Sequence, residues 1–269
     1  MTLALDNKQF LTLASDQVDV WLVYVDETHD ENLIARYRRL LTTQELEREA
    51  RFHFPNDRHR FLVTRALVRD VLSRYEAISP QDWRFEQNTY GRPTIANDDS
   101  IEKRISFNIS HSDGLIILSI TRYRVVGVDT ENVSRIAPIQ IANRYFSPKE
   151  IAALARLPAA LQSQRFFELW TLKESYIKAR GMGLSIPLDQ FSFNLDVEQQ
   201  ICFEVEKPFD DLSCRWWFWQ WHPSANHIAA LCLELDDGAA ASVITRKVIP
   251  LLPSEPWVSN MLRTSTRPC

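Results

Sequence analysis

Positive charge is not in excess. Lysine and arginine number 31 against 35 acidic residues, a net charge of −4. A dominant basic patch marks nucleic-acid partners, and none stands out, so none is expected. No apolar run is long enough to cross a bilayer, so no membrane span is expected. The start, Met1-Thr-Leu-Ala-Leu-Asp-Asn-Lys8, lacks the basic stretch and long apolar run of a secretory signal. The four cysteines (Cys202, Cys214, Cys232 and Cys269) form no C-x-x-C pair and have no zinc spacing. Reduced thiols in a cytoplasmic protein are therefore expected. No Gly-x-Ser-x-Gly elbow occurs, which argues against a serine hydrolase. What remains is ordinary globular material: 269 residues, 45% hydrophobic and 25% charged, enough for one large domain or two modest ones.

The apolar run Val18–Val25 predicts a buried strand. Residues 31–54 are helical in pattern, with Thr42 or Thr43 as a helix cap, and Pro55-Asn-Asp57 interrupts them. A second helix is predicted over about 58–75. Short strands follow at 83–87, 105–109, 115–121 and 125–129, with Asn88-Thr-Tyr-Gly-Arg-Pro93 as a turn. Ser110-His111 is read as following the second of these strands directly. The outline then repeats: helices near 138–144, 148–157 and 161–180, then strands at 191–195, 202–206, 215–221 and 227–235. The order predicts an α+β fold rather than a doubly wound sheet. Each half thus offers helices and then a small antiparallel sheet, a repeat that is architectural only. Beyond about Ala239, prolines at 250, 253, 256 and 268 and weak periodicity predict a poorly ordered appendage.

One stretch organises the rest, Phe166 to Gly183. Its apolar residues fall at helical spacing, and Gly181, Gly183 and Pro187 end the helix. Trp170, Glu174 and Lys178 share one side of it. Glu174 and Lys178 alone are a surface ion pair or an acid–base couple. The run Val125-Val-Gly-Val-Asp129-Thr-Glu131 adds two carboxylates on one face of a strand. They read either as solvated acids at a strand end or as oxygen ligands for a hard cation such as Mg²⁺, with Glu174 as a third. Ser110 and His111 offer hydroxyl and ring N–H donors to a phosphate, or form an ordinary turn. Arg92, in Gly-Arg-Pro, presents a guanidinium to a phosphate or to water. The aromatic run Trp216–Trp221 reads as core packing ahead of a stacking platform.

Gly127-Val-Asp129-Thr-Glu131 and Trp170-Thr-Leu-Lys173-Glu174-Ser-Tyr-Ile-Lys178 resemble the two signatures of 4′-phosphopantetheinyl transferases, G-I/V-D-x-E and W-x-x-K-E-S/A-x-x-K. Arg51-Phe, Tyr90-Gly-Arg-Pro93, Phe107-Asn-Ile-Ser-His-Ser112, Arg144-Tyr-Phe-Ser147 and Gly181 to Asp189 resemble the surfactin-synthetase-activating (Sfp) type. The resemblance covers about residues 18 to 235.

It implies two similar α/β halves forming an intramolecular pseudo-dimer, with coenzyme A and Mg²⁺ in the cleft between them. The expected divisions are 1–124, 125–238 with the metal and catalytic motifs, and a tail of 239–269. The implied activity is holo-acyl-carrier-protein synthase: transfer of 4′-phosphopantetheine to a serine of an acyl, peptidyl or aryl carrier protein, by a cytoplasmic monomer. By motif position, Asp129, Glu131 and Glu174 hold the metal. Glu174 is the base on the carrier serine, and Lys178 assists the departing adenosine 3′,5′-bisphosphate. Arg48, Arg92, Ser110 and His111 bind the nucleotide end, and Lys173 lies near the phosphates with Asp129 and Lys178. Glu45 stands where some relatives carry a lysine, which throws weight onto Arg48 and Arg92. The competing reading is a Mg²⁺-dependent hydrolase of a nucleotide-cofactor phosphoanhydride. A non-catalytic carrier-binding module fits less well, because Asp129, Glu174 and Lys178 are all intact.

Overall fold

The structure is a computed structural model and describes residues 10–206, 211–235 and 241–265. In chain order, β1 (Gln17–Tyr24) leads to α1 (Glu31–Arg38), α2 (Thr43–Ala50) and α3 (Pro55–Leu72). Then come β2 (Phe85–Gln87), β3 (Pro93–Ile95), α4 (Asp99–Arg104), β4 (Ile105–Ser112), β5 (Leu115–Arg122) and β6 (Val126–Asn132). The helices α5 (Ala142–Tyr145), α6 (Pro148–Arg156) and α7 (Ala159–Arg180) follow. The remaining strands are β7 (Phe191–Asn194), β8 (Gln200–Val205), β9 (Trp216–Ser224), β10 (His227–Glu234), β11 (Ser242–Val248), β12 (Ser254–Pro256) and β13 (Met261–Ser265).

Two large sheets lie face to face between two helical layers. The first has the order β12-β11-β1-β5-β4 and the second β6-β10-β9-β13-β8-β7. Strand alternation explains the layering, because successive side chains leave opposite faces. In β1, Trp21 and Val23 face Leu62, Val63 and Leu67 of α3. Val18, Val20 and Leu22 face the other sheet, meeting Val126, Val128, Trp219, Trp221, Ala229, Leu231 and Leu233. In β10, Ile228, Ala230 and Cys232 face α7 with Phe218 of β9. Strands buried on both faces read as unbroken apolar runs, which is why Val18–Val25 and Leu115–Thr121 stood out. The aromatic run divides the same way and is core.

Local chemistry sets the helix ends. The helical stretch over 31–54 divides at Thr42, one of the two expected caps, which opens α2 with a reciprocal capping box to Glu45. Pro55 opens α3 at its first turn, where the missing N–H costs nothing. Helix α7 ends at Gly181 in the left-handed region, φ +65°.

Three expectations are corrected. Strand β4 runs on to Ser112, so Ser110 and His111 lie within it rather than after it. The sheets are mixed, since β11 is parallel to β1 and β13 to β8. The tail is no appendage: β11 and β12 extend the first sheet, and β13 sits inside the second, between β9 and β8. Prolines 250, 253 and 256 hid this, because they fall between and at the ends of short strands, where they interrupt periodicity without breaking a ladder. Cys269 lies outside the described residues.

Candidate active site

The site forms where β6 meets α7. Residues 127, 129 and 131 leave the face of β6 toward the helix, while Val126 and Val128 face the other sheet. Gly127 permits the contact: a β-carbon there would lie 2.0 Å from the Ser175 carbonyl oxygen and 2.4 Å from the Ala179 nitrogen. With no side chain in between, α7 rests on the strand and brings Glu174 and Lys178 to Asp129 and Glu131.

Lys178 Nζ donates to Asp129 Oδ1 at 2.7 Å and to Ser110 Oγ at 2.8 Å. Ser110 Oγ donates to the same Asp129 Oδ1 at 2.9 Å. Asp129 is 5% exposed, and its Oδ2 is buried with no hydrogen-bond partner. Glu131 is ion-paired with Arg135. Burial, then the Asp129 charge, pushes the Glu131 carboxyl up to about 7, against Arg135 and Lys178. The Glu174 carboxyl is likewise pushed up to about 7, by burial first and Asp129 next, with Lys178 opposing and Glu131 adding. Three carboxyl groups thus influence one another beside a single ammonium.

Strand β4 reaches β6 by side chains rather than a backbone ladder. Asn108 Oδ1, Ser110 Oγ and Ser112 Oγ accept from the N–H groups of Val128, Thr130 and Asn132 at 2.9, 3.3 and 2.8 Å. The alternation Asn108-x-Ser110-x-Ser112 carries this pattern in the sequence and went unread there. His111 points to solvent from the opposite face of β4. Partial desolvation and the cations Arg60 and Lys178 hold its imidazole below the usual histidine range.

A cleft of about 320 Å³ opens beside this cluster, lined by Tyr90, Arg92, Asn108, Glu174 and Lys178 among others. Pro93 lines both this cleft and a second cavity of about 360 Å³. The second holds Arg48 over the Phe61 ring, at 5.4 Å, and Arg65 over Phe85, at 4.9 Å. Glu45 borders it, paired with Arg65 and with Arg69. These partners hold the Glu45 carboxyl below its ordinary value despite its burial. Two cationic and aromatic pairs therefore face one hollow.

Two sequence-predicted residues stand differently from expectation. Lys173 is fully buried on the far side of α7, 0% exposed. Its Nζ donates to the carbonyls of Leu188 and Phe191 and pairs with Glu150 at 2.8 Å. It is removed from the cleft because a five-residue step on a helix turns the side chain well away from Lys178. Arg92 does reach the cleft, but its Nη1 donates to Ala179 O at 2.6 Å and its Nη2 to Val126 O at 3.3 Å. Asn88 Nδ2 adds a bond to Gly181 O at 2.8 Å. The Asn88–Pro93 turn thus caps the C-terminal end of α7, where orphan carbonyls and the helix dipole favour a cation.

Known proteins match both halves. A family model described as the 4′-phosphopantetheinyl transferase superfamily matches residues 125–232. One described as 4′-phosphopantetheinyl transferase, N-terminal, matches residues 28–122. The chain is 34% identical over 176 residues, 65% of its length, to 4′-phosphopantetheinyl transferase HetI of Nostoc sp. (strain PCC 7120), covering 73% of that protein. It is 33% identical over 186 residues, 69% of its length, to 4′-phosphopantetheinyl transferase Sfp of Bacillus subtilis (strain 168), covering 80% of that protein. Its match to 4′-phosphopantetheinyl transferase gsp of Aneurinibacillus migulanus is 36% over 151 residues, 56% of this chain and 60% of that protein. The α+β architecture, the β6–α7 site and these relatives agree, and the chain belongs to the 4′-phosphopantetheinyl transferase family of transferases.

Proposed function

We propose that this chain transfers 4′-phosphopantetheine from coenzyme A to a serine of an apo acyl, peptidyl or aryl carrier protein, with Mg²⁺, releasing adenosine 3′,5′-bisphosphate. The observation that carries the reading is the meeting of Asp129 and Glu131 on β6 with Glu174 and Lys178 on α7 at the mouth of a cleft. Such transfer depends on positioning and charge neutralisation more than on covalent catalysis.

Mg²⁺ fits these residues. Asp129 Oδ2 is buried without a partner, while Oδ1 is taken by Lys178 and Ser110. Glu131 and Glu174 are both pushed up to about 7. A hard dication relieves that repulsion and takes oxygen ligands of this kind. Among the described residues no ready-made cluster of three ligands is found, so substrate phosphate oxygens would share in completing the shell of Asp129, Glu131 and Glu174. The bound ion would neutralise the pyrophosphate.

Glu174, near neutrality in its titration, accepts the proton of the carrier serine hydroxyl. The serine oxygen bonds to the phosphorus of the phosphopantetheine. The bond from that phosphorus to the bridging oxygen breaks, and this oxygen leaves with the adenosine bisphosphate. Lys178 Nζ stabilises or protonates it there. The nucleotide end would occupy the adjoining cavity with Arg48 and Arg65, with His111 at the rim. Arg92 would shape the cleft floor between them.

The test is intact-mass analysis of an apo carrier protein incubated with this chain, coenzyme A and Mg²⁺, with an EDTA control. Gain of one phosphopantetheine group, lost with EDTA, is expected. Release of free phosphopantetheine with no carrier modified would instead establish the phosphoanhydride hydrolase.

A further inference from the structure

Glu131 is tied down on one side only. It lies two residues from Asp129, so the two carboxylates leave the same face of β6 and repel each other. Arg135 answers that charge from the loop after the strand, where its Nη2 donates to Glu131 Oε2. Among the described residues no hydrogen bond reaches Glu131 Oε1. Asp129 is held in the same manner, with Lys178 on Oδ1 and no partner on Oδ2. Each of these carboxylates thus has one oxygen engaged by a cation and one left open.

Arg135 is itself fixed. Its guanidinium lies over the ring of Phe167, 5.4 Å from the centroid, and that ring is fully buried on α7. The loop that carries it is pinned as well. The Val133 N–H donates to Asn226 O at 2.8 Å, and Asn132 Oδ1 accepts from the N–H and the hydroxyl of Ser134 at 2.9 and 2.6 Å. Arg135 therefore links a core ring of α7 to a carboxylate of β6.

We propose that Arg135 is a positioning residue for the metal, holding Glu131 by Oε2 so that Oε1 stays free to ligate Mg²⁺. The inference rests on the transferase reading and on its metal. A nearby cation also repels a metal ion, but the Arg135 side chain is 51% exposed. The charge of so exposed a group is largely screened by water and salt. Orientation is not screened. Loss of an outer partner that fixes a ligating side chain costs about 10- to 100-fold in metal affinity. Without Arg135 the repulsion from Asp129 is free to turn Glu131 aside, so the site weakens rather than tightens.

Two variants test this. Arg135→Met keeps an apolar stem over Phe167 and drops the charge, whereas Arg135→Lys keeps the charge. Mn²⁺ stands in for Mg²⁺, and its binding is followed by loss of the free-ion EPR signal at pH 8.5, with coenzyme A present and a coenzyme A blank subtracted. Melting temperatures are taken in EDTA. Arg135→Met is expected to weaken Mn²⁺ binding 10- to 100-fold with a melting temperature within a few degrees of wild type, and Arg135→Lys to restore affinity to within about fivefold. Unchanged Mn²⁺ affinity in Arg135→Met would overturn the proposal, and tighter binding would make Arg135 an opposing charge instead. Weaker binding in both variants with a matching fall in melting temperature would reduce the arginine to a loop support and also overturn it. A wild-type chain that binds no Mn²⁺ removes the metal assignment and the proposal with it. A wild-type chain that binds Mn²⁺ but modifies no carrier in the intact-mass assay counts against the transferase reading alone, and the affinity comparison still decides the role of Arg135.

Discussion

Glu174 and Lys173 are neighbours in sequence with opposite fates. Glu174→Ala is expected to reduce transfer by at least about 100-fold while leaving the melting temperature within a few degrees, since it removes a cleft carboxylate rather than a core group. Lys173→Met should do the reverse. It leaves Glu150 buried at 1% exposure without its cation, a loss of about 3–5 kcal/mol, with KM for coenzyme A unchanged in whatever protein folds. Urea titration beside activity assays separates the two. The raised carboxyls also set a pH dependence. Glu131 and Glu174 titrate near 7 in the fold against 4.5 as the ordinary value, so between those values the native state holds protons that the unfolded chain has lost. Stability in EDTA therefore falls as pH rises from about 4.5 through 7 and levels off above. Denaturant midpoints across that range should show the fall, and Glu131→Gln with Glu174→Gln should flatten it. No slope in the wild type would mean that the two carboxyls are not raised.

At the scale of elements, the β6–α7 contact rests on one missing methyl group. Gly127→Ala sets a β-carbon against the backbone of Ser175 and Ala179, which cannot yield as a side-chain tip can. An overpacking loss of about 1–3 kcal/mol is expected, together with loss of transfer, because α7 carries Glu174 and Lys178 away from Asp129. A Gly127→Ala protein with wild-type kcat would show that the helix need not rest on the strand. Much of this level was legible in the sequence. The doubly buried strands announced themselves as apolar runs, and the Glu174–Lys178 spacing put both on one side of a helix. Lys173 was misread because its partners, Glu150 and the carbonyls of Leu188 and Phe191, lie 15 to 23 residues away, beyond any local pattern. The start of α2, by contrast, was marked locally: Thr42, one of the two caps the sequence offered, carries the capping box with Glu45.

For the whole molecule, the last strands complete both sheets. Arg246 on β11 pairs with Asp19 of β1, a carboxylate with 0% exposure that also accepts from the Tyr75 hydroxyl at 2.5 Å. Arg246→Met leaves that carboxylate short of its counter-ion, and a loss of about 3–5 kcal/mol is expected. Pairing it with Asp19→Asn should return much of the loss in a double-mutant cycle by chemical denaturation. Additive losses would show the two do not interact. Farther on, Arg263 of β13 reaches Glu168 of α7 at 3.4 Å and Gln220 of β9 at 3.0 Å. Because a ribosome delivers the chain from its N-terminus, neither sheet can be completed while residues 242–265 are still within the exit tunnel. β13 lies between β9 and β8, two strands made some forty residues or more earlier, and these must wait without their neighbour. Completion of both sheets thus waits until residues 242–265 have left the tunnel, well after their neighbouring strands were made.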